Sequence, residues 1–157
     1  MKLSLILLLL LGTVPVLHAQ PFEQKVVAAV ILGEAGNQGR VGMAAVAEVI
    51  HERSVQTGTT PFQVVTKGTR RHRAFSCMTG HTPLGLVKKY GGDSGYKDIA
   101  LGLAAQVSKW PTNWVSQTHS ATFFTRKEER PYWSRGHAPV AIIGDHAFYR
   151  IPLRRKS

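Results

Sequence analysis

Seven consecutive apolar residues, Val26-Val27-Ala28-Ala29-Val30-Ile31-Leu32, run directly into Gly33-Glu34-Ala35-Gly36-Asn37-Gln38-Gly39. A stretch with no polar interruption can be neither a surface helix nor a half-solvated strand, so the rest of the chain has to enclose it. Glu23-Gln24-Lys25 give it a polar first turn, which predicts a short buried helix over Phe22–Leu32. The glycines and Asn that follow are turn material. From about Arg40 to Val55, Val41, Met43, Ala44, Ala45, Val46, Ala47, Val49 and Ile50 predict a second helix, packed on the first as a hairpin.

Between Gln56 and Gly92 the periodicity weakens around Gly58, Pro61, the Arg70-Arg71-His72-Arg73 run and Pro83, which predicts loops with short helices. Asp93 and Ser94 then stand as caps ahead of Ile99, Ala100, Leu101, Leu103, Ala104 and Val107, a third helix that Pro111 would stop. After Trp114 the segments Ala121–Thr125, Val140–Ile143 and Ala147–Ile151 are short and rich in β-branched or aromatic residues. The predicted class is α+β: one mainly helical domain with a small antiparallel sheet in the C-terminal third, which the 157-residue length accommodates once and not twice.

Met1-Lys2 precede an apolar run from Leu3 to Leu11, and Gly12, Pro15 and Ala19 end it. The run is shorter than the roughly 20 residues of a spanning helix, so residues 1–19 are expected to be a signal peptide and 20–157 the mature domain. Export to the periplasm, cell wall or medium follows. Cys77 is the only cysteine, so no internal disulfide framework is available and the core must supply the stability. Its expected role is a small buried apolar residue beside Phe75 rather than a nucleophile.

Twenty Lys and Arg stand against nine Asp and Glu, a net charge of +11. The positive residues cluster at Arg70–Arg73, Lys88-Lys89, Arg126-Lys127, Arg130, Arg135 and Arg154-Arg155-Lys156, which points to an anionic partner. Nucleic acid is disfavoured by the leader and by the lack of a basic recognition helix. Outside the cytoplasm the remaining anions are cell-wall polymers and membrane faces; solubility alone accounts for some of the excess charge.

Glu34 is the acid that the pattern forces into apolar company. It lies four residues after Val30 and seven after Val27, on the buried stripe if the first helix persists. A carboxyl shielded from water can hold a proton for transfer to a glycosidic oxygen. The position suits a helix-terminal Glu paired with an Arg equally well. Glu48 and Glu52, at i and i+4, are expected on a solvated or salt-bridged face, and nothing in the spacing makes Glu48 a second carboxylate for Glu34. The histidines show no metal-ligand spacing, and only the fold could unite His119, His137 and His146 in the alternative reading of a zinc site, so neither metal nor cofactor is expected, and His146 is assigned a structural hydrogen bond. Phe123 and Phe148 are assigned to packing; Tyr132 and Trp133, in a charged loop, are candidates for a substrate groove.

Four blocks in order resemble the SleB-type cell-wall hydrolases, the family of the spore-cortex-lytic enzymes. They are Ile31-Leu32-Gly33-Glu34-Ala35, then Gly39 and Val41–Ala47 on to Arg53; Phe75-Ser76-Cys77; Pro131-Tyr132-Trp133; and Ile143–Arg150. The resemblance spans about Val26 to Arg150. It implies a lysozyme-like domain acting on peptidoglycan glycan strands, most simply as a lytic transglycosylase with Glu34 as acid and then base. It also implies substrate contacts at Ser76 and Tyr149; the chain is expected to act as a monomer on peptidoglycan strands and anionic wall polymers, without nucleic acid. A muramidase, an N-acetylmuramoyl-alanine amidase and a non-catalytic peptidoglycan-binding module are the alternatives. The chain departs from the family in two places: Thr122-Phe123-Phe124-Thr125 replaces a Thr-His-aromatic-His stretch, and Glu52 replaces an Asn.

Overall fold

A computed structural model describes residues 21–69, 73–92, 95–111 and 115–153. The expected leader, the caps Asp93 and Ser94, Arg70-Arg71-His72 and Arg154-Arg155-Lys156 lie outside the described residues. Helix α1 (Phe22–Ala35) is the axis of the molecule, and Val26, Val30 and Ile31 are fully buried. Around it pack α2 (Gly39–Thr57), α3 (Pro61–Thr66), α4 (Pro83–Tyr90) and α5 (Lys97–Gln106). A uniformly apolar run has its explanation here: every side of α1 meets another helix.

The expected turn at Gly33 is not one. The helix continues through Gly33 and Glu34 to Ala35, and a 3-10 turn at Gly36–Gln38 makes the corner into α2. Thr60 and Gln63 form a reciprocal capping box on α3, and Thr82 with Pro83 starts α4. α5 begins at Lys97 without a side-chain cap and ends at Gln106, short of Pro111.

Three strands, β1 (Phe123–Arg126), β2 (Ala141–Ile143) and β3 (His146–Tyr149), form an antiparallel sheet in the order β1-β3-β2. Phe124 lies opposite Phe148, and Arg126 opposite His146. Ala45 and Val49 of α2 pack with Ala121 and Phe148, which fastens the sheet to the helices. The α+β class and the position of the sheet agree with the expectation. Among the described residues no helix is long and apolar enough to cross a membrane.

Candidate active site

Glu34 occupies the last turn of α1, half-buried. Its neighbour Gly33 lets the segment after Phe75 come close: a Cβ there would stand 3.0 Å from both Cys77 Cβ and the Tyr90 ring. That approach delivers two donors to the carboxylate. Cys77 gives its backbone N–H to Glu34 Oε1 at 2.7 Å, and Ser76 Oγ lies 3.1 Å from both carboxylate oxygens. The Cys77 amide belongs to the first turn of a 3-10 helix (Ser76–Met78), where an N–H has no partner within the helix.

The acid opens on a cavity of about 1180 Å³, bounded by the end of α1, the 73–79 segment, β1 and the β2–β3 turn. Among the described residues no Arg or Lys lies within ion-pair distance of Glu34; the one such pair is Lys127–Asp145 at 3.1 Å. Among these residues the Arg-paired alternative for Glu34 finds no partner.

Arg53, which the sequence offered only as the end of a motif, crosses behind the site. Its Nε donates to the Thr122 carbonyl and its NH1 to the Ala74 carbonyl at 3.3 Å, and its guanidinium lies between the Phe75 and Phe123 rings at 4.9 and 5.0 Å. Burial lowers it to about 10 against the opposing charge of Glu34, so it stays a cation at neutral pH.

The opposite wall carries His146, which is 8% exposed. It does not make the structural hydrogen bond expected of it: Nδ1 is enclosed and has no partner. The ring is held instead by edge contacts to Phe124 at 5.2 Å and Phe148 at 6.3 Å. Burial lowers its pKa below the usual imidazole value, outweighing the opposing charges of Glu34 and Asp145. A bracket from Gln38 fixes this wall, accepting from the Asp145 backbone N–H and donating to its carboxylate. Glu129 also lines the cavity, its Oε2 accepting from Thr125 Oγ1 at 2.6 Å. Gln38 and Glu129 carry no signal in the sequence, because their partners are set by the fold.

The other candidates separate. Ser76 touches Glu34, and Trp133 lines the cavity with its ring 5.1 Å from Phe123 and 5.4 Å from Tyr149. Tyr132 is 80% exposed and lies off the cavity wall. Tyr149, expected in the groove, is 2% exposed on β3 and backs Trp133 rather than lining the cavity. Phe123 and Thr125 stand where the resemblance has histidines; Phe123 and its neighbour Phe124 join this aromatic layer, and Phe124 contacts Phe75, His146 and Phe148.

Glu48 is not on a solvated face. It is 7% exposed, and its carboxylate accepts from Ser116 Oγ, the Gln117 and Thr118 amides and Thr118 Oγ1. It organises the 116–118 loop and does not line the cavity. Glu52 pairs with Gln56 on its own helix. Cys77 is half-buried, and burial together with Glu34's charge pushes its thiol far above the usual range, which keeps it protonated. Among the described residues no three His, Cys, Asp or Glu side chains are placed to hold a metal ion.

A helical domain with a three-stranded sheet and an oriented carboxylic acid on an open cavity has the build of a polymer-cleaving enzyme. The chain belongs to the cell wall hydrolase family, whose profile matches residues 37–149, beginning just past Glu34. Two similar solved structures share the fold. The catalytic domain of the germination-specific lytic transglycosylase SleB from Bacillus anthracis is 20% identical and superposes with a TM-score of 0.61 over 87% of this chain and 99% of that one. The catalytic domain of the Bacillus cereus SleB protein is also 20% identical, with a TM-score of 0.59 over 87% and 94% of the two chains. A comparison with curated proteins gave no match.

Proposed function

We propose that this enzyme is an exported lytic transglycosylase that cuts the bond between N-acetylmuramic acid and N-acetylglucosamine in peptidoglycan, with Glu34 as its acid and base. The observation that carries this reading is the grip on Glu34. Oε1 is taken by the Cys77 amide, so the transferable proton belongs on Oε2, with the Ser76 hydroxyl equidistant from the two oxygens. Glu34 protonates the glycosidic oxygen as the muramoyl C1–O bond breaks, and the N-acetylglucosamine leaves with a free hydroxyl. The resulting carboxylate then takes the proton of the muramoyl C6 hydroxyl, whose oxygen closes on C1 to give an anhydro ring. One carboxyl completes the cycle and returns protonated.

The presence of Glu129 on the same cavity favours a second reading, hydrolysis by a water that Glu129 activates. Product ends separate the two. Digests of isolated sacculi should yield anhydromuramic termini, and Glu34→Gln should abolish them while leaving the fold intact. Reducing muramic termini would establish a muramidase, and released stem peptides with intact strands would overturn both readings. The basic clusters are the proposed means of holding the enzyme to an anionic wall, so pelleting with sacculi should weaken as salt rises.

A further inference from the structure

A second cavity, of about 920 Å³, adjoins the catalytic one, and the two share Arg53, Arg73, Ala74, Phe124 and Trp133. Their charges differ. The catalytic cavity is lined by four acids, Glu34, Glu128, Glu129 and Asp145, beside Arg53, Arg73 and Arg126, whereas among the described residues the annex has Arg53, Arg73 and Lys67 and no acid.

Both guanidiniums are held by neutral carbonyls rather than by carboxylates. Arg73 NH1 donates to the Thr66 carbonyl at 2.7 Å and the Gly68 carbonyl at 3.4 Å, while its Nε is buried with no hydrogen-bond partner. Arg53 is held by the Thr122 and Ala74 carbonyls and by two aromatic faces. Arg53 feels the charge of Glu34 from the catalytic side, but Arg73, with one buried donor unused, has only neutral acceptors, which leaves the annex short of an anion on its own walls. Its volume falls within the range of cavities that hold small organic ligands, about 300–1,000 Å³.

We propose that this annex binds a carboxylate of the short peptide that the muramoyl residue carries on its lactyl group. This deepens the transglycosylase reading and rests on it. The glycan itself offers only hydroxyls and acetamido groups, so the anions of the polymer are the peptide carboxylates and any phosphate polymer attached to the strand. A muramoyl unit placed for anhydro-ring closure must have its C6 hydroxyl free, which excludes a phosphate polymer linked through that oxygen. With C1 at Glu34, the lactyl branch leaves the ring sideways, and the adjoining cavity with unpaired cations is where it would arrive.

The test uses three forms of one glycan: strands with native stem peptides, strands whose peptide carboxylates have been converted to amides, and strands stripped of peptide with the freed lactyl carboxylate capped as an amide. Wild type should favour native stems over both other forms. Arg73→Gln and, separately, Lys67→Gln should lower the ratio of kcat/KM on native to stripped strands about tenfold, mainly through KM, as loss of a charge-assisted hydrogen bond does. Arg73→Lys should recover part of it. Equal rates on native and amidated stems, an unchanged ratio in both Gln variants, or a preference that disappears only when attached phosphate polymer is removed would each overturn the proposal. Retention of activity in Glu34→Gln would instead overturn the catalytic reading, and the affinity of wild type for native over amidated strands would still report on the annex.

Discussion

Gln38 grips Asp145 at two points: its Oε1 accepts the Asp145 backbone N–H at 2.9 Å, and its Nε2 donates to Asp145 Oδ2 at 3.0 Å. The two residues are 107 positions apart in the chain. Their contact ties the turn just after Glu34 to the β2–β3 turn that leads into His146, so the spacing of the two cavity walls depends on one amide. Lys127 holds the other carboxylate oxygen of Asp145, and the pair draws that carboxyl below its usual range.

Gly144 makes this bracket possible. Its φ of +58° suits the first corner of a two-residue hairpin, and a Cβ there would overlap Gln38 Oε1. Gly144→Ala should therefore cost about 1–3 kcal/mol in urea denaturation and lower activity, because the strained corner and the displaced amide add together. Gly136→Ala is the control: its φ is also positive, +80°, with nothing within 4 Å, so it should cost less and leave activity alone.

Ser76→Ala removes the hydroxyl shared by the two oxygens of Glu34 and leaves the Cys77 amide in place. A reduction in kcat of about 10- to 150-fold with KM little changed is expected, the range that one hydrogen bond to a charged group spans. Steady-state kinetics on purified strands decides it. A change in KM alone would mean that Ser76 holds substrate rather than the acid.

Glu48→Ala should destabilise the fold by about 1–3 kcal/mol, because the buried Thr118 amide and its neighbours lose their acceptor. The loop it organises contains His119 and Ser120, both with positive φ, at 51° and 59°, a conformation that persists only while surrounding contacts enforce it. Activity per folded molecule should be kept below the new melting temperature. Thermal melts paired with activity at low temperature provide the measurement.

His146 makes a pH-dependent contribution. Its folded pKa lies below the unfolded value of 6.5, so between the two the unfolded chain binds the extra proton. Its contribution is present above pH 6.5 and is lost as pH falls towards the folded pKa. Tm should decline on acidification through this window, and His146→Gln should flatten that part of the profile. A decline of equal size in the variant would assign the effect to other groups.

The helices around α1 were legible because an uninterrupted apolar run has one physical solution, and the strands because β-branched and aromatic residues alternate with turn signals. The end of α1 was not. Glycine disfavours a helix interior by about 1 kcal/mol, and at Gly33 close packing on Cys77 and Tyr90 overrides that preference. Glu48 and Glu52 looked alike by spacing, yet what covers Glu48 is a loop some seventy residues further on. At the site, Glu34 could be singled out from its apolar neighbours, but its donors and the Gln38 bracket depend on contacts between distant segments, which helical and strand periodicity cannot encode. Tyr149 and Trp133 show the same limit: both are aromatic, and only the sheet decides which one faces inward.

The tightest donor to Glu34 is main chain, not a side chain. Every amino acid except proline would present the same N–H at position 77, so the identity of that residue is free to drift with the packing around it. What descent has to preserve for the acid to stay aimed is the bend of the backbone after Phe75 and the missing methyl at position 33.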